Sequence, residues 1–194
     1  MLRRLYDWTM SLARTRHAER ALAGVSFVES SFFPIPPDVL LIPMVLADRI
    51  KWIRFALVCT VASVLGGLLG YFIGAVLFEA VGRPILEFYG YMSKFAEFQE
   101  AFNEWGLLIV FIFGGLTPLP YKVITIASGL TALSLPVFII SSIAARGTRF
   151  FLVAGLLYWF GEPIRSFIEK HLGLLFTLFL VLLIGGFVAA AYMF

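Results

Sequence analysis

Few side chains in this sequence are charged or chemically reactive. Its 194 residues include one cysteine, two histidines and 14% charged residues. A lone cysteine excludes a disulfide within the chain, and a net charge of +3 is too small to indicate a nucleic-acid partner. The patterns Gly-x-Ser-x-Gly and His-Glu-x-x-His and the phosphate-binding glycine loop are all missing. We therefore expect no enzyme activity, no metal site and no cofactor.

Hydrophobic residues dominate instead and make up 61% of the chain. A soluble domain of this size contains about 45–50%, so the composition indicates an all-α integral membrane protein. A helix of about 20 apolar residues crosses the hydrocarbon core of a bilayer. Three segments are predicted to cross it as helices, namely residues 54–78, 137–160 and 172–194.

Two further segments have an amphipathic pattern. Residues 1–23 carry five arginines away from an apolar face, which predicts an interfacial helix on the membrane; a solvated, charged N-terminus is the alternative. Residues 85–105 place aromatic side chains at helical spacing and glutamates off that stripe, which predicts either an interfacial helix or a helix that covers the soluble face. Residues 24–171, which include this segment and the first two predicted spans, are predicted to form one membrane domain.

Glycine spacing predicts how one of the spanning helices packs. Gly66, Gly70 and Gly74 recur every fourth residue, so they share one face of the helix. Such a stripe allows the backbones of two membrane helices to approach closely. We interpret it as a packing feature.

Prolines interrupt two other apolar blocks, residues 24–47 and 106–133. A proline removes a backbone donor and clashes with the preceding turn, so each block should break. The runs FFPIPPDVLLIP (32–43) and LTPLPYKVITIA (116–127) align with an offset of 84 residues, and a spanning segment follows each. This repetition predicts an inverted repeat of two re-entrant helical hairpins, each followed by a transmembrane helix. The prolines at the two breaks are Pro34, Pro36, Pro37, Pro118 and Pro120.

The distribution of basic residues predicts the orientation. With the N-terminus in the cytoplasm, ten basic residues lie on the cytoplasmic side and only Arg83 and Lys94 on the other, among five glutamates. The positive-inside rule favours this choice. It places the C-terminus on the periplasmic side and residues 79–105 at the outer face.

The run Phe-Pro-x-Pro-x-Asp after Glu29, the string GGLLGYFIG and the run GGLTPLPYKVITIASG together resemble the DedA family, also called the VTT or SNARE-associated domain. The resemblance implies two facing re-entrant hairpins in the bacterial inner membrane. It also implies lipid translocation or scrambling, recycling of undecaprenyl phosphate and dependence on the proton motive force. The second loop departs from the family pattern Arg-Phe-x-Pro-x-x-Arg, because Thr-Pro-Leu-Pro-Tyr-Lys stands there, which indicates a divergent branch.

Two acidic residues are candidates for proton coupling. Glu29 and Asp38 match the acidic positions of the family and lie on the two limbs of the first broken block. Ionisable side chains inside a membrane are costly and usually functional, and burial or a nearby cation changes their proton affinity. The alternative is that they cap backbone groups freed by the prolines.

Positive and polar residues are candidates for binding a phosphate group. The candidates are Thr117, Lys122, Arg146 and Arg149. Arginine forks suit bidentate phosphate contact, and Arg146 and Arg149 lie three apart on one helix face. We predict that at least one of them lies within reach of Glu29 or Asp38 and that Lys122 completes the cluster. The alternatives are purely structural ion pairs and, for Lys122, a lysine that extends to the membrane interface.

The sequence favours a transporter or scramblase that moves an anionic lipid headgroup across the inner membrane. The lipid would be undecaprenyl phosphate or a phospholipid, and protons would be coupled through the two acids. Its partners would be membrane lipids and protons, with a homo-oligomer left open. The alternatives are a proton-coupled small-cation transporter and a membrane assembly factor that transports nothing.

Overall fold

The computed structural model describes residues 17–32, 36–116 and 120–161, together with Pro163 and Val181. Over these ranges the chain is helical and has no strand, which confirms the predicted all-α class. Most of the interfacial helix predicted for residues 1–23 lies outside the described residues, and so does the predicted span 172–194 except for Val181. Three of the named residues, Pro34, Thr117 and Pro118, also lie outside them. The first described helix begins at Ala18 and runs without a break past residue 23, where the sequence analysis placed the boundary between the interfacial helix and the membrane domain.

The helices follow one another in an order that repeats. A helix, a proline-containing break, a ten-residue helix and a long helix occur twice. The elements are α1 Ala18–Ser31, α2 Asp38–Ala47, a 3-10 turn Arg49–Lys51, α3 Trp52–Leu77, a π-helical turn Phe78–Gly82, α4 Arg83–Tyr89, α5 Met92–Glu104, α6 Gly106–Phe111, a π-helical turn Ile112–Leu116, α7 Tyr121–Leu130 and α8 Leu135–Gly161.

Two described stretches are long and apolar enough to cross a membrane, Arg49–Tyr89 and Leu135–Gly161. They contain α3 and α8, the helices that close the two halves of the repeat. Their positions agree with the predicted spans 54–78 and 137–160. By length and composition alone, each of these two helices could cross a membrane.

Hydrogen bonds between α1 and α3 set their relative direction. The Ser26 hydroxyl donates to the Cys59 carbonyl at 2.8 Å, and the Ser31 hydroxyl donates to the Gly66 carbonyl at 3.0 Å. Residue numbers therefore rise together along the two helices, so α1 and α3 run in the same direction. Since α2 joins the far end of α1 to the start of α3, the chain must return through α2 to the end where α1 begins.

The second half repeats this arrangement. A side-chain carbon added to Gly106 would clash with Leu133, and one added to Gly115 would lie 2.8 Å from the Ala145 carbonyl oxygen. The start of α6 therefore lies beside the turn before α8, and the region after α6 lies farther along α8. As in the first half, the ten-residue helix returns the chain to the end from which the block started.

The long helices α3 and α8 run in opposite directions. The Tyr71 hydroxyl, near the end of α3, donates to the carbonyl of Leu133 just before α8 at 2.7 Å. At the other end, Trp52 stacks on Tyr158 with 5.7 Å between ring centroids. Two hydrophobic clusters lie at these two ends, one around Leu41, Phe55 and Phe150 and one around Tyr71, Val110 and Phe138.

The segment predicted as one amphipathic helix, 85–105, is divided in two. Gly90 has a φ of 70° and ends α4 in the left-handed conformation typical of a helix C-terminus. Helix α5 then covers the turn between α7 and α8, because Gln99 and Asn103 both donate to the Thr131 carbonyl, at 2.9 and 3.0 Å. The covering role matches the prediction, but the single helix does not.

The glycine stripe of α3 packs as the sequence predicted. A side-chain carbon on Gly66 would meet the carbonyl of Phe27 on α1, and one on Gly74 would meet the carbonyl of Ile126 on α7. One added to Gly70 would meet the Thr125 side chain on α7. The stripe therefore holds α1 and α7 directly against α3, with backbone rather than side chains at two of the contacts.

Gly66→Ala is expected to destabilise the protein, because the new methyl group would meet a backbone carbonyl that cannot rotate away. Overpacking of this kind costs about 1–3 kcal/mol. Gly24→Ala is the matched control: Gly24 also lies inside a helix, but nothing lies within 4 Å of its added carbon. That change should be neutral or stabilising by up to about 1 kcal/mol. Thermal unfolding of both variants in detergent compares them, and equal midpoints would contradict the predicted helix contact.

Candidate functional site

The end of α1 and the start of α7, which flank the two breaks, meet beside the middle of α3. The last turn of α1 lies against the first turns of α7, where the Thr125 hydroxyl lies 3.4 Å from the Ser30 carbonyl. Gly67 makes room for this meeting, since a carbon added there would lie 2.9 Å from the Tyr121 hydroxyl. Helix α8 closes the same region with Arg146 and Arg149, and α2 contributes Asp38, so five helices contribute to one site.

A closed ring of hydrogen bonds surrounds the first ion pair. Arg146 Nη2 lies 3.1 Å from Glu29 Oε2, and Arg146 Nε donates to Ser63 Oγ at 2.6 Å. The hydroxyls of Ser63 and Ser30 lie 2.6 Å apart, and Ser30 donates to Glu29 Oε2 at 3.2 Å. Since Ser30 gives its proton to Glu29, Ser63 must donate to Ser30. The ring links α1, α3 and α8.

Two aromatic rings enclose the same guanidinium. The Arg146 Cζ atom lies 4.7 Å from the centroid of the Tyr121 ring and 4.7 Å from that of the Phe150 ring. Each contact adds cation–π attraction, which strengthens where water is excluded. Only 4% of the Arg146 side chain is exposed. The buried cation therefore has a carboxylate partner, a hydroxyl acceptor and two aromatic faces.

The second ion pair is more open. Arg149 Nη2 donates to Asp38 Oδ2 at 2.8 Å, and the side chains are 35% and 19% exposed. Within the described part of the chain, Asp38 Oδ1 and Arg149 Nε are buried without a hydrogen-bond partner. This pair is therefore bonded through one atom on each side, whereas the geometry of arginine and carboxylate allows two parallel bonds.

The structure brings together four of the candidate residues named from sequence: Glu29, Asp38, Arg146 and Arg149. Lys122 is partly buried on α7, close enough to Glu29 for the two charges to interact. It forms no ion pair with either of the two described carboxylates. Asp38 is instead paired with Arg149. Of the loop prolines, Pro36, Pro37 and Pro120 lie just before α2 and α7.

Sequence reasoning missed the serines and aromatic rings around Arg146. Ser26 and Ser30 lie one helical turn apart in an apolar segment, which is a signal that this face of α1 meets polar groups. Ser63 gives no such signal, because a single serine in a membrane helix commonly bonds its own backbone. Only the packing of α1 against α3 shows that it faces the charge cluster.

Comparison with known proteins assigns the family. The chain is 39% identical over 168 residues to an uncharacterized protein of Haemophilus influenzae, covering 87% of this chain and 86% of that protein. It is 34% identical over 168 residues to an uncharacterized protein of Histophilus somni, covering 87% of each. No solved structure matches the chain. The sequence model of the VTT domain matches residues 35–159, from just before α2 to nearly the end of α8. The chain therefore belongs to the VTT domain family, the DedA family of membrane proteins.

Proposed function

We propose that this protein moves the anionic headgroup of a lipid, a polyprenyl phosphate such as undecaprenyl phosphate or a phospholipid, between the leaflets of the bacterial inner membrane. One observation supports this proposal most strongly. Two arginine–carboxylate pairs lie where two proline-broken blocks of an apolar chain converge. Charge at membrane depth is costly and is found where an ion or a polar group passes.

In this proposal the two broken blocks are re-entrant. Each starts at one end of its long helix, turns at the prolines and returns to the same end, and α3 and α8 are antiparallel. The blocks then enter from opposite faces of the bilayer and meet near its middle. Backbone that leaves a helix at this depth must be covered by protein or by a water-filled cavity. This is the plan of inverted-repeat transporters, whose binding sites lie between the repeats.

The residues of the site divide into two roles. Arg149 and Lys122, with Thr117, provide the positive and polar groups that a phosphate needs, while Arg146 stays paired with Glu29. Asp38 neutralises Arg149 when no headgroup is present and carries the coupled proton, and Glu29 neutralises Arg146 throughout. In this proposal the protein acts by binding and conformational change, without covalent chemistry.

The orientation follows from the basic residues, with the N-terminus in the cytoplasm and the C-terminus outside. Glu97→Cys on exposed α5 should react with a membrane-impermeant maleimide in intact spheroplasts. Lys51→Cys, also exposed, should react only after the membrane is broken. The native Cys59 is buried and is changed to serine as a precaution. The reverse labelling pattern would contradict this orientation.

Reconstitution of the purified full chain tests the function. Vesicles carry fluorescent lipids that differ only in headgroup, and a membrane-impermeant quencher reports the leaflet in which each lipid lies. We expect anionic lipids to exchange faster with protein than without it, and faster than phosphatidylcholine. Cation or proton flux without lipid exchange would support the cation transporter instead. If neither lipid exchange nor ion flux is observed, the membrane assembly factor is the function that remains.

A further inference from the structure

We infer that the two ion pairs have different functions: Arg146–Glu29 is a permanent brace between the two halves, and Arg149–Asp38 is the pair that opens, exchanging the Asp38 carboxylate for the phosphate group of a ligand. The inference rests on the proposed function for its setting and deepens it. It assigns phosphate recognition to one of two arginines that sequence treats as equivalent.

The surroundings of Arg146 leave little space for a ligand. The Tyr121 and Phe150 rings both pack against its guanidinium, whose side chain is only 4% exposed, and Glu29 and Ser63 accept from two of its nitrogens. A phosphate could approach only if aromatic rings from α7 and α8 moved apart and the serine ring opened. Since the ring links three helices, opening it would separate elements that hold the fold together. Arg146 therefore acts as a brace.

The surroundings of Arg149 are different. Its side chain is 35% exposed, and one bond of 2.8 Å holds it to Asp38. Its Nε and the Asp38 Oδ1 atom have no partner among the described residues. An unbonded buried donor and an unbonded buried acceptor both lose free energy relative to water. A phosphate can satisfy the guanidinium with two parallel bonds, so exchange of the carboxylate for phosphate gains a bond at Arg149.

Phosphate binding by the purified full chain tests the division of roles, with inorganic phosphate as the probe. Arg149→Lys keeps the charge but loses the fork, so we expect phosphate to bind about tenfold more weakly with an unchanged unfolding midpoint. Arg146→Lys loses the aromatic stacking and the bond to Ser63, so the midpoint should fall. The folded fraction of that variant should bind phosphate as the unmodified protein does.

A charge-swapped variant keeps the test decisive if Arg149→Lys does not fold. Asp38→Arg combined with Arg149→Asp restores an ion pair but moves the cation to α2. A folded double variant that binds phosphate at least tenfold more weakly supports the inference. Binding equal to that of the unmodified protein, in either Arg149 variant, overturns it. Failure of both variants to fold also overturns it, because Arg149 would then be a second brace.

Two further measurements are needed. The first identifies the source of the phosphate, and the second distinguishes a failure of the inference from a failure of the proposed function. Nanodiscs of phosphatidylcholine are compared with nanodiscs that also contain phosphatidylglycerol. Competition between phosphatidylglycerol and inorganic phosphate at Arg149 supports the inference with a lipid headgroup as ligand, and no competition supports it with free phosphate. Arg149-dependent binding without lipid exchange in vesicles would refute the proposed transport alone. Lipid exchange that survives unchanged in Arg149→Lys would refute the inference alone.

Discussion

Arg146→Met is expected to leave little folded protein after extraction into detergent. The substitution removes one partner of a buried ion pair, so Glu29 loses its cation and Ser63 loses its donor. Breaking a buried pair from one side costs about 3–5 kcal/mol, against a total stability of about 5–15 kcal/mol for a typical domain. Methionine fills part of the space between Tyr121 and Phe150, so the effect reports charge and hydrogen bonds more than a cavity.

Size-exclusion profiles after heating measure this effect, and two variants serve as controls. Arg83→Met removes the arginine from an exposed pair with Glu79, at 2.8 Å on one helical surface. Exposed pairs spaced in this way contribute about 0.3–0.5 kcal/mol, so that midpoint should hardly change. Adding Glu29→Leu to Arg146→Met removes both charges and should recover part of the loss. A midpoint of Arg146→Met equal to that of Arg83→Met would show that the ring is not a brace.

The sequence predicts the elements of this fold well because its signals are local. Prolines break a helix wherever they stand, so the breaks before α2 and α7 follow from Pro36, Pro37 and Pro120. The glycine stripe predicts close packing because only glycine lets two backbones meet. The division at Gly90 was open to prediction as well, since a glycine after an apolar segment commonly ends a helix. The helical spacing of aromatic residues continues on both sides of Gly90, and it therefore suggested a single helix.

The pairing within the site could be predicted only in part. Arg146 and Arg149 share a helix face, and a buried arginine requires a carboxylate, so contact with Glu29 or Asp38 was expected from residue types alone. Which acid meets which arginine depends on how far the two limbs of the first broken block extend along α8. Glu29 lies near the end of α1 and Asp38 at the start of α2, so they face successive turns of α8. Those depths are set by packing and cannot be obtained from spacing.

Asp38→Asn is expected to abolish most of the transport while the protein still folds. Asparagine keeps the size of the side chain and can still accept from Arg149, so the contact between α2 and α8 survives in weaker form. It cannot hold a negative charge or carry a proton at this site. A hydrogen bond to a charged group contributes about 1.5–3 kcal/mol, so the rate of a step that depends on that charge should fall about tenfold or more.

Asp48→Asn is the matched control for this change. Asp48 also forms an ion pair with a cation, Lys51, at 2.6 Å, but in the exposed turn before α3. The hydrogen bond from Lys51 lowers the pKa of the Asp48 carboxyl, so this carboxyl is ionised at neutral pH. Both variants therefore lose one paired carboxylate charge, and only Asp38→Asn loses it where the two broken blocks meet. We expect lipid exchange by Asp48→Asn to match that of the unmodified protein. If Asp38→Asn exchanges lipid at the unmodified rate, the charge of Asp38 has no part in transport and Asp38 is a packing residue.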